Sequence, residues 1–82
     1  MKLFLIVMMN VSLLFAVVDI NRASKSELSS LDGIGMKKAE AIIEYRNKNC
    51  FKTVEELEKV HGIGNKTLKK NIDNLITSKC RK

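Results

Sequence analysis

Two short segments of this 82-residue chain have the spacing best suited to chemistry, and both read Gly-Ile-Gly. Gly33 to Gly35 is followed by Lys37 and Lys38, and Gly62 to Gly64 is followed by Lys66. A glycine turn that opens a helix presents unpaired backbone N–H groups at the positive end of the helix dipole, which suits a phosphate. A lysine in the next turn opposes that dipole unless an anion lies between them. We therefore expect two phosphate-binding turns; the alternative is that the glycines only let the chain turn sharply.

An internal repeat with an offset of 29 residues surrounds these segments. The matched pairs are Ser24 and Thr53, Glu27 and Glu56, Leu28 and Leu57, Leu31 and Val60, Gly33 and Gly62, Ile34 and Ile63, Gly35 and Gly64, Lys37 and Lys66, Ala39 and Leu68, and Ile43 and Ile72. The chain therefore contains one supersecondary unit twice.

Each unit is predicted to form a helix, a tight turn and a second helix. Ser24 with Glu27, and Thr53 with Glu56, have the spacing of capping boxes, which mark helix starts. Apolar residues on one face predict a longer second helix in each unit, with Ala39, Ile42 and Ile43 in the first and Leu68, Ile72, Leu75 and Ile76 in the second. No alternating pattern indicates a strand, so we predict an all-α domain with four main helices, and an isoleucine of each Gly-Ile-Gly segment in its core.

The charge of the chain favours an anionic partner. Residues 19–82 contain 14 Lys and Arg against 9 Asp and Glu, and the whole chain has a net charge of +6. Such an excess attracts polyanions, which include nucleic acid, anionic lipid and acidic proteins. Only 22 of these 64 residues are hydrophobic, so the domain buries little surface and has no room for a deep catalytic cleft.

The N-terminal segment is typical of a secretory signal. Lys2 is the one charged residue before Asp19, and 14 of the 16 residues from Leu3 to Val18 are hydrophobic. A bilayer-spanning helix needs roughly 20 apolar residues. We expect residues 1–18 to be a signal peptide cleaved near Ala16 to Val18 and residues 19–82 to be periplasmic; an uncleaved inner-membrane anchor is the alternative.

Export changes the interpretation of Cys50 and Cys80, because an oxidising compartment permits a disulfide. A bridge would close a loop of 31 residues, for which the chain-entropy estimate is about 3.7 kcal/mol. We expect an intramolecular disulfide; free thiols and pairing between molecules are the alternatives. No metal is expected, since His61 is the only histidine that could complete a ligand set.

From Val18 to Thr77 the chain resembles the helix-hairpin-helix DNA-binding family, and within it the ComEA-like periplasmic competence proteins. The residues that carry the resemblance are Val18-Asp19-Ile20-Asn21, Ala23-Ser24, Leu31-Asp32-Gly33-Ile34-Gly35 with Lys38-Ala39, Ala41-Ile42-Ile43 with Tyr45-Arg46, Phe51-Lys52-Thr53, and Gly62-Ile63-Gly64-Asn65-Lys66. The chain departs from the family at Asp32 and Met36, where relatives often have proline. It departs again at Asn71, which stands where the repeat predicts an apolar residue matching Ile42.

The resemblance implies two hairpins, related by a pseudo-two-fold axis, that hold both strands of double-stranded DNA across the minor groove. It also implies a role in natural transformation, as a periplasmic receptor that keeps incoming DNA from sliding back, with the DNA-uptake machinery of the inner membrane as a further partner. The implied DNA-binding positions are Gly33, Ile34, Gly35, Lys37 and Lys38 in the first unit, and Gly62, Ile63, Gly64, Lys66 and Thr67 in the second.

Other function classes have less support in the sequence. No carboxylate pair and no Ser-His-Asp set accompanies His61, so we expect no enzymatic activity, no cofactor and no small-molecule substrate. A protein-interaction module of the cell envelope is the main alternative, because Glu55, Glu56 and Glu58 form an acidic patch that DNA would avoid. Binding to anionic lipid is less favoured, since the lysines flank glycine turns and not an exposed apolar face.

Overall fold

The computed structural model describes residues 17–80 and shows a mostly helical chain. Its elements are the strand β1 (Val18–Asp19), the helices α1 (Lys25–Ser29) and α2 (Met36–Lys48), the 3-10 helix η1 (Val54–Lys59), the helix α3 (Asn65–Asn71), the 3-10 helix η2 (Ile72–Asn74) and the strand β2 (Leu75–Ile76). The predicted signal peptide lies outside the described residues, except for Val17 and Val18. Within the described part, no helix has the length and apolar character needed to cross a membrane.

Helix α1 begins at the predicted capping box. The backbone N–H of Glu27 donates to Oγ of Ser24 over 3.1 Å, and the backbone N–H of Ser24 donates to Oε1 of Glu27 over 2.9 Å. These bonds satisfy two N–H groups that the start of a helix leaves without partners, and the prediction is confirmed.

The prediction of a matching capping box at Thr53 and Glu56 is wrong. The Thr53 side chain caps no N–H group, and Oε1 of Glu56 instead accepts a hydrogen bond from the backbone N–H of Lys52 over 2.8 Å. The element that follows is the 3-10 helix η1, whose first turn is closed by a bond from the N–H of Glu56 to the carbonyl oxygen of Thr53. The glutamate therefore still fixes the start of this helix, but from one residue further back.

The last helix is shorter than the sequence pattern predicts. The chain leaves the α-helical path after Asn71, and Leu75–Ile76 pair in parallel with Val18–Asp19. Leu75 is buried whereas Ile76 is 50% exposed, because consecutive residues of a strand point to opposite faces. The prediction of a domain without strands is wrong on this point, since the lead-in segment supplies hydrogen-bonding partners that no local pattern reveals.

The core joins both halves of the repeat. Leu28 and Leu57, which are equivalent in the repeat, are both fully buried. Phe51, which lies between the two units in the sequence, is fully buried, and its ring stacks on that of Tyr45 with a centroid distance of 5.1 Å. The other buried hydrophobic residues are Val18, Ile20, Ala23, Leu31, Ile34, Ala39, Ile42, Val60, Ile63, Leu68 and Leu75.

The C-terminal segment is tied to the loop after α2. The side-chain amide of Asn21 donates to the carbonyl oxygens of Phe51 over 2.8 Å and of Ser78 over 3.0 Å. Cys50 and Cys80 form a disulfide, with their Cα atoms 5.8 Å apart. Both ties lie beyond the C-terminal end of α2, at the opposite end of that helix from Gly35.

Candidate functional site

Two turns, which we call the first glycine turn (Leu31–Gly35) and the second glycine turn (Val60–Gly64), lead into α2 and α3. Gly33 has a φ of 80° and Gly62 a φ of 93°, so both lie in the left-handed region that favours glycine. In each turn the isoleucine N–H donates to the first residue's carbonyl oxygen, over 3.1 Å and 3.0 Å respectively. The backbone therefore follows the same path twice, as the repeat predicts, and phosphate binding by these glycines stays a prediction.

The second glycine of each turn is the N-cap of the helix that follows. Gly35 and Gly64 are both extended and exposed, and no side chain caps either helix. A Cβ atom built on either glycine would have no neighbouring atom within 4 Å. The first backbone N–H groups of α2 and α3 are thus open to an approaching group, as a phosphate-binding turn requires.

The candidate positions divide into buried and exposed residues. Ile34 and Ile63 are 2% and 4% exposed, so their side chains belong to the core and only their backbone can contact a ligand. Lys37 and Lys66 are exposed in the first turns of α2 and α3. The lysines therefore supply charge next to open backbone N–H groups.

Thr67 and Lys38, which are equivalent in the repeat, each cover the glycine turn of the opposite unit. A Cβ atom on Gly33 would lie 3.5 Å from Oγ1 of Thr67, and one on Gly62 would lie 3.7 Å from Cε of Lys38. Sequence reasoning treated both side chains as ligand contacts and gave no indication of this packing. The contacts place the two glycine turns side by side.

The charges around the turns favour an anion. Within residues 17–80 one salt bridge is present, between Lys25 and Glu40, and it lowers the pKa of Glu40 through the hydrogen bond and the charge of the lysine. The charge of Lys37 lowers the pKa of Glu40 further, but the exposed lysines that follow the glycine turns form no salt bridge in that part of the chain. Those lysines are Lys37, Lys66, Lys69 and Lys70.

Asn71 is the residue that sequence reasoning recognised only as a departure from the pattern. Its side-chain amide accepts from the backbone N–H of Asp32 and donates to the carbonyl oxygen of Asp32, both over 2.9 Å. It is 3% exposed and is the one buried polar residue in the described part of the chain. The signal in the sequence was a polar residue at the position equivalent to Ile42.

No metal centre accompanies these turns. Among residues 17–80, no three His, Cys, Asp or Glu side chains are grouped so that they could hold a metal ion. His61 is an exposed residue of the second glycine turn. The arrangement can bind an anion through backbone N–H groups and lysines.

Comparison with known proteins finds the same motif. The sequence profile of the helix-hairpin-helix motif matches residues 15–76. ComE operon protein 1 of Bacillus subtilis (strain 168) is 49% identical over 65 residues, which are 78% of this chain and 31% of that protein. An uncharacterized protein of Haemophilus influenzae is 52% identical over 61 residues, which are 72% of this chain and 54% of that protein.

The similarity extends to much longer proteins. Kinesin-like protein KIF22-B of Xenopus laevis is 47% identical over 64 residues, which are 72% of this chain but 10% of that protein. The chain thus spans about half or less of the length of these relatives. Because the motif profile covers both glycine turns and all the described helices, the chain belongs to the helix-hairpin-helix family.

Proposed function

We propose that residues 19–82 form a tandem, pseudo-symmetric helix-hairpin-helix domain that binds double-stranded DNA without sequence preference. The observation that supports this most directly is the pair of open N-caps. Gly35 and Gly64 have the same extended backbone, the same exposure and the same empty space in front of them. Each turn then takes one phosphate of the DNA backbone.

The expected contacts do not distinguish one base from another. Backbone N–H groups and the ammonium groups of Lys37 and Lys66 recognise phosphate oxygens, which are the same at every nucleotide. The full set of proposed contact positions remains the one predicted above, with Ile34 and Ile63 acting through their backbone. Affinity is therefore expected to depend on salt and not on sequence.

The packing between the turns supports binding to two strands at once. Thr67 lies against Gly33 and Lys38 against Gly62, so the two turns are held in one arrangement before DNA arrives. A preorganised pair of sites loses less conformational freedom on binding than two independent turns would. A duplex presents two phosphate backbones to such a pair, whereas a single strand presents one.

We place this activity outside the cytoplasm, in DNA uptake during natural transformation. The apolar segment before Asp19 supports export, and the resemblance to periplasmic competence proteins supports the role of a DNA receptor that works with the inner-membrane uptake machinery. Val18 is 6% exposed and pairs with Leu75, so cleavage after Ala16 would leave β1 complete. We accordingly favour a cut before Val17 over one after Val18.

The alternative, a protein-interaction module, has lost part of its support. Oε1 of Glu56 accepts from the backbone N–H of Lys52, and Oε2 of Glu58 accepts from the side-chain amide of Asn65 over 2.9 Å. Two of the three glutamates in the acidic patch therefore have partners within the domain. Their presence is explained by the start of η1 and by the start of α3.

A salt titration against two duplexes of unrelated sequence tests the proposal. If about 4 to 6 phosphates are neutralised, the logarithm of the binding constant falls against the logarithm of salt concentration with a slope of about −4 to −5, equally for both duplexes. A slope near zero, or a strong preference for one duplex, would contradict electrostatic binding to the backbone.

Variants at the open N-caps test the site itself. Gly35→Val and Gly64→Val place a branched side chain in front of the N–H groups, and each is expected to remove most of the binding. Both glycines have a negative φ and room for a Cβ atom, so circular dichroism is expected to show intact helices. Asn49→Val is the matched control, because it adds the same side chain at the exposed far end of α2. If both glycine variants fold and bind like the parent, the turns are structural only.

A further inference from the structure

Among the equivalent residues of the repeat that are both buried, one pair differs in polarity. Ile42 and Asn71 are equivalent, and both are buried, but only Asn71 carries hydrogen-bonding groups. Buried polar side chains are retained in folded proteins when they satisfy other buried polar groups. The hydrogen-bonding partners of Asn71 therefore indicate which part of the backbone this side chain holds.

Asn71 holds the backbone of the residue that precedes Gly33. Its Oδ1 accepts from the N–H of Asp32, and its Nδ2 donates to the carbonyl oxygen of the same residue, both over 2.9 Å. The Nδ2 atom also donates to the carbonyl oxygen of Thr67 over 2.9 Å, four residues earlier along the chain. That third bond fixes the orientation of the amide, so the first glycine turn is clamped to α3.

At these equivalent positions, only α3 provides side-chain hydrogen bonds to the opposite glycine turn. Ile42 has no donor or acceptor, so α2 has no equivalent bond to offer the backbone of His61, the residue that matches Asp32 in the repeat. Helix α3 thus begins directly after Gly64, the last residue of the second turn, and also holds the first turn through Asn71. Asn71 therefore adds hydrogen bonds from α3 to the contacts that Lys38 and Thr67 already make between the two turns.

We infer that Asn71 is a positioning residue that sets the first glycine turn in register with the second for joint binding of phosphates. This inference rests on the proposed function, since the groups that it aligns are the proposed phosphate contacts. Asn71 itself touches no ligand. Its effect passes through Asp32 to the N–H groups beyond Gly33.

Asn71→Leu tests the clamp without any ligand. The variant keeps an apolar volume like that of Ile42 but leaves the N–H and carbonyl groups of Asp32 without their partners. We expect the amide NMR signals of Gly33, Ile34 and Gly35 to shift and their hydrogen exchange to accelerate, while those of Gly62 to Gly64 stay unchanged. Ile42→Val is the matched control, because it loosens the core at the equivalent position without touching Asp32. Equal changes in both turns, or none in the first, would overturn the clamp.

A double-mutant cycle with short duplex DNA at low salt tests the effect on binding. Alone, Asn71→Leu is expected to weaken binding about tenfold, as for the loss of one to two hydrogen bonds. In the Gly35→Val background, where the first turn is already blocked, it is expected to weaken binding less than twofold. In the Gly64→Val background, where the second turn is blocked, the effect is likewise expected to fall below twofold, because the register of the two turns matters only when both bind. A tenfold effect that persists in either background would show that the loss does not depend on joint binding, and it would overturn the inference.

A second variant keeps the test decisive if Asn71→Leu does not fold. In Asn71→Ser the hydroxyl can still donate to the carbonyl oxygen of Thr67 but is too short to bridge both groups of Asp32. The same background dependence is expected of it, and its absence overturns the inference. If the parent protein binds no duplex DNA at all, the proposed function fails, and the NMR comparison still decides whether Asn71 holds the first turn.

Discussion

The methylene chain of Lys38 lies across Gly62, with Cε 3.7 Å and Cγ 3.9 Å from the position that a Cβ atom on this glycine would occupy. The ammonium group of the same side chain lies 3.4 Å from the carbonyl oxygen of Gly33. One lysine therefore extends from one glycine turn to the other. Its alkyl part packs against the second turn, and its charge lies beside the first.

These two parts of Lys38 can be separated by substitution. Lys38→Met keeps an unbranched chain over Gly62 and removes the charge, so we expect the free energy of unfolding to change by less than about 0.5 kcal/mol. The salt slope for duplex binding is expected to fall by about 1. Urea denaturation and the salt titration measure these quantities, with Lys48→Met at the far end of α2 as the control. An unchanged slope for Lys38→Met would show that its charge meets no phosphate.

The two glycines of the second turn are expected to respond differently to alanine. Gly62 has a φ of 93°, which costs a residue with a Cβ atom about 1–2 kcal/mol, so Gly62→Ala is expected to lower the free energy of unfolding by that amount. Gly64 is extended with free space around it, so Gly64→Ala meets no strain, and its smaller chain entropy when unfolded offsets the poorer N-cap that alanine makes; we expect a change of less than about 0.5 kcal/mol. Urea denaturation of both variants checks the contrast, and equal destabilisation would mean that the turn has a different conformation.

Single-stranded DNA is expected to bind more weakly than a duplex at the same salt concentration. Binding of single strands relies on exposed aromatic rings that stack on bases. Phe51 is fully buried, and the ring of Tyr45 stacks on it, so the described part of the chain offers no such platform. Fluorescence anisotropy with matched single- and double-stranded oligonucleotides measures the difference. Equal or tighter binding to the single strand would contradict the two-strand arrangement.

Reduction of the Cys50–Cys80 disulfide is expected to lower stability and leave DNA binding unchanged. Opening a loop of this length removes about 3.7 kcal/mol from the free energy of unfolding in the chain-entropy estimate. The bridge lies beyond the C-terminal end of α2, a helix of 13 residues or roughly 20 Å, whereas Gly35 lies at its start. Urea denaturation with and without reductant measures the first effect, and affinity below the melting temperature measures the second. Labelling of both thiols in unreduced exported protein would refute the bridge.

Features that depend on residues close together in the chain could be predicted from the sequence. The capping box at Ser24 and Glu27 involves residues three positions apart, and its bonds form as the spacing predicts. Gly33 and Gly62 can adopt positive φ angles because they have no Cβ atom, and this freedom allows the tight turns. The burial of Ile34 and Ile63 was predicted because each is the one apolar residue between two glycines.

Only the tertiary structure decided the features that depend on residues far apart in the chain. The pairing of Val18 with Leu75 overrides a helical pattern because it satisfies backbone groups at both ends of the domain. The bonds between Asn71 and Asp32 span 39 residues, and the packing of Lys38 on Gly62 depends on how two turns meet. A repeat in the sequence shows that two turns have the same shape, but their relative position depends on side chains that cross between them. For this protein, the separation of the two candidate phosphate sites is therefore a property of the packed structure.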